Sequence, residues 1–132
     1  MPQIIDTKKE FFLMARGRSF VNAMRGLAVF LKTTPNAWIQ IAILITACLL
    51  GLYYNIGRFD WLMIVVSGGA VLGAEAFNTA IEIDINLTSP NQHPYARDTK
   101  DVAAGAVLIT SITAAIIGFI IFIPHIINDF SA

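Results

Sequence analysis

The chain consists of long apolar stretches separated by short polar segments, and the apolar stretches are long enough to cross a membrane. Three of them, residues 37–54, 60–85 and 102–123, are mostly apolar, and a helix of about 20 such residues spans about 30 Å of hydrocarbon. Trp38 and the Tyr53-Tyr54 pair lie near the ends of the first stretch, where aromatic belts form in membrane proteins. The pattern predicts three transmembrane helices, with a short turn at residues 55–60 between the first two and an end of the third at Pro124.

A different pattern precedes the first stretch. Over residues 8–33, apolar side chains are interspersed with six basic ones: Lys8, Lys9, Arg16, Arg18, Arg25 and Lys32. This pattern is typical of an amphipathic helix on a membrane surface, where basic side chains reach anionic headgroups. It fits a simple membrane anchor as well as part of a catalytic unit. The sequence therefore predicts an all-α membrane protein with one domain over residues 1–132, made of a surface helix and three transmembrane helices.

Composition and charge support this class and exclude others. The chain is 56% hydrophobic and 14% charged, with a mean hydropathy of +0.67, which is too apolar for an ordinary soluble domain. Its formal net charge is zero, so it has no excess of positive charge to bind nucleic acid. Cys48 is the single cysteine and cannot form an intramolecular disulfide.

The distribution of basic residues predicts the orientation in the membrane. Six precede the first span, Arg58 lies in the first turn, Arg97 and Lys100 lie between the second and third spans, and none follows the third. By the positive-inside rule, the N-terminus and the second connection face the cytoplasm.

Two glutamates on the second predicted span need a chemical explanation. Glu75, Asn78 and Glu82 are separated by offsets of three and seven residues, so a helix places them on one face, called here the carboxylate face. We expect the helix to end near Ala80, with Glu75 inside the membrane about 7 Å from that end and Glu82 at the boundary. A shared face predicts a single site.

The second connection, residues 86–100, is polar and leads into the third span. Basic and acidic residues at a helix N-terminus can hold phosphate, with Lys100 as a point charge and Asp98 or Asp101 as a magnesium ligand. The same residues could instead only cap the helix and anchor it at the interface. From this segment alone, both interpretations stay open.

Together these segments resemble the prokaryotic integral-membrane diacylglycerol kinase and undecaprenol kinase family. The resemblance rests on three segments: Glu75-Ala-Phe-Asn78-Thr-Ala-Ile-Glu82, His93-Pro94 and Ala96-Arg-Asp-Thr-Lys100-Asp101. It implies a homotrimer in the cell inner (cytoplasmic) membrane, and transfer of the γ-phosphoryl group of ATP to a lipid alcohol. Diacylglycerol is the expected acceptor, giving phosphatidic acid, and undecaprenol is the alternative. A noncatalytic helical membrane subunit that binds a cation or a partner is the hypothesis from another class.

The resemblance also implies a role for each site residue. Glu75 would be the general base, and Asn78, Glu82, Lys100 and Asp101 would bind the ATP. Glu82 and Asp101 would also hold Mg²⁺. The sequence departs from the family at two positions: Thr34 stands where the family commonly has a glutamate that helps to hold metal, and Asn86 where an aspartate is usual. An extra acid, Asp84, stands two residues before Asn86.

Overall fold

The computed structural model of the protein describes the backbone of residues 2–91 and 93–131, with every side chain in those ranges except those of residues 2–11 and 13. Its helices are α1 (Pro2–Thr33), α2 (Pro35–Tyr53), α3 (Arg58–Thr88) and α4 (Pro94–Ser131). Helices α2, α3 and α4 are long and apolar enough to cross a membrane. The prediction of an all-helical chain with three candidate membrane spans is confirmed.

Helix α1 is a unit by itself. Its described side chains are largely exposed, among them Phe20 at 69%, and the Arg16 guanidinium carbon lies 4.5 Å from the centroid of the Phe12 ring. Lys8 and Lys9, two of the predicted headgroup contacts, lie among the side chains outside the described set. The location of α1 on a membrane surface stays a prediction.

The break before α2 follows from Pro35. A residue that precedes proline is disfavoured in helical conformation, and Thr34 is accordingly extended, with φ −116° and ψ 93°. Pro35 itself suits the first turn of a helix, where its missing N–H would have no partner. Helix α2 therefore begins at a position that the local sequence dictates.

The turn between α2 and α3 is short, as predicted. Asn55 has a φ of +50°, a left-handed conformation that asparagine tolerates better than most residues. The backbone N–H of Ile56 donates to the carbonyl of Gly51 over 3.1 Å, which satisfies a carbonyl at the end of α2. The turn allows α3 to fold back and pack against α2.

Helix α3 packs against both α2 and α4. The most buried apolar cluster lies near the start of α3 and consists of Ile56, Ile64, Ile121 and Phe122. Glu75 lies 11 residues beyond Ile64, or about 16 Å along the helix. The hydrophobic cluster and the acidic residues therefore occupy different levels of the bundle.

The second connection is much shorter than predicted. Residues 86–100 were expected to form a polar loop, but α3 continues to Thr88 and α4 begins at Pro94. Proline is well suited to a first helical position, and polar residues can remain helical once a helix leaves the membrane. Because α3 ends at Thr88, the expectation that it ends near Ala80 is wrong. Glu75 lies about 20 Å from the observed helix end.

Helix α4 is also longer than the predicted span of 102–123. It continues through Pro124 to Ser131, so the expected stop at this proline is wrong. Proline removes a backbone donor, but local adjustment in membrane helices can accommodate this loss. The next residue, His125, stacks on Tyr54 with ring centroids 5.1 Å apart, which ties the continued helix to the end of α2.

The close approach of α2 and α3 depends on Gly68. A Cβ atom at Gly68 would lie 2.6 Å from Leu44 Cδ1, whereas a Cβ at Gly69 would meet nothing within 4 Å. We expect Gly68→Val to lower the free energy of unfolding by about 1–3 kcal/mol through overpacking. Thermal unfolding in detergent measures this loss. Gly69→Val is the matched control because it makes the same change in helix propensity, and equal destabilisation by both variants would contradict the prediction.

Candidate functional site

The carboxylate face lies on α3 and is partly buried. Glu75 is 2% exposed and Asn78 is 9% exposed, whereas Glu82 is exposed. The Asn78 Nδ2 atom donates a 3.3 Å hydrogen bond to Glu82 Oε1, so these two side chains meet as their spacing predicts. Asn78 lies about one turn from each glutamate along α3, and its hydrogen bond goes to the exposed one.

Glu75 is held from another helix. Gln40 on α2 donates a 3.0 Å hydrogen bond from Nε2 to Glu75 Oε2. A buried polar group needs such a partner, because an unpaired one loses its hydration without replacement. No role was predicted for Gln40, and the signal that could have pointed to it is an amide in an otherwise apolar span.

A second contact between α2 and α3 lies beside the carboxylate face. The hydroxyl groups of Thr34 and Thr79 are 2.7 Å apart and form a buried hydrogen bond. Thr34 is the position where the resemblance leads one to expect a glutamate. In this chain Thr34 instead joins the start of α2 to Thr79 of α3, and Thr79 is the residue that follows Asn78.

The predicted phosphate-binding residues Lys100 and Asp101 lie on α4, beside the last turns of α3. Lys100 Nζ donates a 2.6 Å hydrogen bond to Asn86 Oδ1, which bridges the last turns of α3 and the start of α4. Arg97 Nε lies 3.7 Å from Asp101 Oδ2, and both side chains are mostly exposed, so this pair adds little stability.

A cavity of about 1030 Å³ opens beside these residues. It is lined by Ile85, Asn86, Ser89, Pro90, Asn91, His93, Pro94, Ala96, Arg97, Asp98, Lys100 and Asp101. The cavity is large enough for a small-molecule ligand. Its lining includes Lys100 and Asp101 but none of the three residues of the carboxylate face.

The extra acid Asp84 does not replace the aspartate that the family usually has at position 86. Helix α3 is continuous through both positions, and a separation of two residues turns the helix by about 200°. Asn86 itself supplies the oxygen that binds Lys100. The neutral amide therefore provides a hydrogen-bond acceptor for Lys100 without a negative charge.

The described residues offer oxygen ligands for a metal ion but no complete cage. Among the described side chains, those of residues 12, 14–91 and 93–131, no group of three or more His, Cys, Asp or Glu could hold a metal. Mg²⁺ usually needs only one or two carboxylates, because substrate phosphates and water complete its shell. Glu82 supplies an exposed carboxylate, and the buried Oδ1 of Asn78 has no hydrogen-bond partner. These residues fit a magnesium ion that arrives with a nucleotide.

The comparison with known proteins gives the chain a family. Residues 21–122 match the sequence model of the family described as prokaryotic diacylglycerol kinase. The chain belongs to this family. Thus the resemblance carried by Glu75, Asn78, Glu82, Lys100 and Asp101 is confirmed at the level of the family, and the role of each residue stays a prediction.

Two relatives carry names of lipid kinases. An undecaprenol kinase of Bacillus subtilis (strain 168) is 33% identical over 109 residues, which cover 83% of this chain and 89% of the relative. A diacylglycerol kinase of a Synechocystis strain is 30% identical over 115 residues, which cover 83% of this chain and 63% of the relative. This chain is therefore a member of a lipid kinase family whose relatives differ in the acceptor that their names give.

The Thr34–Thr79 hydrogen bond generates a prediction on stability. We expect Thr34→Val and Thr79→Val each to lower the free energy of unfolding by about 1 kcal/mol, since each leaves one buried hydroxyl unpaired. Thr34 makes no capping hydrogen bond to α2, so the valine removes no cap. The double variant replaces both hydroxyls with methyl groups and should cost less than the sum. Thermal unfolding of all four proteins measures the coupling, and strict additivity would show that the bond contributes nothing.

Proposed function

We propose that this protein is an ATP-dependent lipid kinase that transfers the γ-phosphoryl group of ATP to the hydroxyl of a membrane lipid alcohol. The observation that supports this most is the Glu75 carboxylate, which is 2% exposed on an apolar helix that could span a membrane. Ionisable residues at such positions are costly to bury and usually serve a function. A base at this depth lies where a lipid hydroxyl can reach it and where water is scarce.

In the proposed reaction Glu75 is the general base. Its carboxylate accepts the proton of the lipid hydroxyl as that oxygen attacks the γ-phosphorus of ATP. The new bond joins the lipid oxygen to phosphorus, the bond between the γ-phosphorus and the β,γ-bridging oxygen breaks, and ADP leaves. The proton stays on Glu75 until solvent or product removes it.

The remaining site residues bind the nucleotide in this proposal. Lys100 attracts phosphate oxygens from the wall of the cavity between α3 and α4, and Asp101 lines the same cavity. Glu82 and Asp101 would hold Mg²⁺, and Asn78 orients the Glu82 carboxylate through its hydrogen bond. When bound, Mg²⁺ neutralises charge on the β- and γ-phosphates.

The proposal also covers the membrane location and the oligomeric state of the protein. We place it in the inner (cytoplasmic) membrane with its N-terminus in the cytoplasm, because this orientation puts Arg97 and Lys100 on the side where ATP is found. Helix α1 would lie on that surface. A homotrimer is the proposed assembly, as the resemblance implies.

For the acceptor we propose undecaprenol, with diacylglycerol as the second candidate. The undecaprenol kinase relative is matched over 89% of its length, compared with 63% for the diacylglycerol kinase. Diacylglycerol is supported by that second relative and by the description of the family. Diacylglycerol is also the acceptor expected from the resemblance. Its use by this protein stays a prediction, which a direct comparison of the two alcohols can test.

The first test addresses the base. We expect Glu75→Gln to lower kcat by about 10²–10⁴-fold, because the amide cannot accept the hydroxyl proton. The measurement is transfer of labelled γ-phosphate to lipid by purified protein in lipid-containing micelles with Mg-ATP.

Asp84→Asn is the matched control for this test, since Asp84 is an exposed acid on the same helix, and it should retain wild-type turnover. Unchanged kcat in Glu75→Gln would refute the assignment of the base. A wild-type protein that neither binds nor consumes ATP would favour the noncatalytic membrane subunit instead.

The second test addresses the acceptor. We expect kcat/KM for undecaprenol to exceed that for diacylglycerol by at least about tenfold, an energy difference of about 1.4 kcal/mol in transition-state binding. Both alcohols are assayed in the same micelles at matched mole fractions, with Glu75→Gln as the control for contaminating kinases. The opposite ratio would reassign the protein as a diacylglycerol kinase.

A further inference from the structure

Gln40 differs from the other polar side chain in the middle of α2. The Thr46 hydroxyl is satisfied within its own helix, since it donates to the carbonyl of Ala42 over 2.8 Å. Gln40 instead reaches across to α3 and donates to Glu75 Oε2 over 3.0 Å. The amide thus contacts the residue that the proposed reaction uses as its base.

The carbonyl oxygen of the Gln40 amide argues against a role in packing alone. Its Oε1 atom is buried and has no hydrogen-bond partner, and an unsatisfied buried acceptor costs about 1–3 kcal/mol. A methionine or leucine would fill the same space in an apolar helix without this penalty. The amide is therefore better explained by what its donor does to Glu75.

A neutral donor suits the task of orienting a base. A hydrogen bond to one carboxylate oxygen fixes the plane of the carboxylate and hence the direction of the other oxygen. A lysine or arginine in this place would also fix it, but its positive charge would favour the ionised form and weaken the carboxylate as a base. An amide orients the group without adding charge.

We propose that Gln40 is a positioning residue for phosphoryl transfer, which holds Glu75 Oε2 so that Oε1 faces the hydroxyl of the acceptor lipid. This inference rests on the proposed function, in which Glu75 is the base. Gln40 acts only through Glu75 and contacts neither the nucleotide nor the transferred phosphoryl group. Misplacement of a reacting group by about 1 Å can slow a reaction by about 10²-fold.

The competing explanation is that Gln40 only joins α2 to α3. The chain offers a matched control, because the Thr34–Thr79 hydrogen bond joins the same two helices and does not involve Glu75. Thr79→Val removes an interhelical hydrogen bond and leaves the Gln40–Glu75 contact in place. Loss of a helix contact and loss of orientation can therefore be separated.

The experiment compares Gln40→Met with Thr79→Val in the full-length protein in lipid-containing micelles. Methionine keeps the length of the side chain and lacks the amide. We expect Gln40→Met to lower kcat by about 10–100-fold, with the KM for Mg-ATP within about twofold of wild type. Thr79→Val should keep kcat within about twofold while lowering the thermal midpoint. Gln40→Leu repeats the measurement if the methionine variant does not fold.

A double-mutant cycle tests whether Gln40 acts through Glu75. Glu75→Asp shortens the side chain by one methylene, which withdraws the carboxylate from Gln40 but leaves a base with measurable turnover. We expect Gln40→Met to cause no further loss of kcat in this background, because the contact is already broken.

The outcomes separate this inference from the function on which it rests. Wild-type kcat in Gln40→Met, or the same loss of kcat in both backgrounds, would overturn the role of Gln40. If Glu75→Gln abolishes turnover while Gln40→Met does not change it, only the role of Gln40 fails. If Glu75→Gln retains full turnover, the assignment of the base fails first.

Discussion

A carboxylate inside an apolar helix is the constraint on which this site depends. Glu75 is almost completely buried, and a buried charge or polar group is tolerated only when other groups replace its lost hydration. The structure supplies one such group from a different helix, the Gln40 amide. Helix α2 must therefore lie at a defined distance and rotation relative to α3. Gly68 allows the close approach, since a side chain there would collide with Leu44.

The apolar cluster and the residues of the proposed chemistry occupy different heights along α3. Its first turns carry Ile64, part of the most buried apolar cluster, while the carboxylate face follows about three turns later. The last turns carry Asn86, which binds Lys100 of α4 beside the large cavity. Helix α3 thus carries part of the apolar cluster, a buried acid and an amide that binds a basic residue of α4 at the cavity. This order suits a reaction between a lipid and a water-soluble phosphate donor, because each reactant approaches the helix from its own solvent.

Most hydroxyl groups in the spans do not link helices. Thr46, Thr110 and Thr113 donate to carbonyls in the preceding turn of their own helices, which satisfies them without a partner elsewhere. Thr34 and Thr79 are different, since they bond to one another between α2 and α3. The Thr34–Thr79 and Gln40–Glu75 contacts lie around the buried part of the carboxylate face. Of the two, only the Gln40–Glu75 contact reaches a residue that the proposed chemistry uses.

The number of spans, the short turn between the first two, the common face of Asn78 and Glu82, and the resemblance to the family could all be read from the amino-acid sequence. These features depend on composition or on spacing within one helix, and a fixed period of 3.6 residues makes such relations readable. The predicted end of α3 and the predicted stop at Pro124 were wrong, because helices extend past the apolar stretches that define a span. The contact between Gln40 and Glu75, and that between Thr34 and Thr79, became visible only in the folded chain. These partners are 35 and 45 residues apart, and the crossing and rotation of two packed helices, which no periodicity encodes, decide which side chains meet.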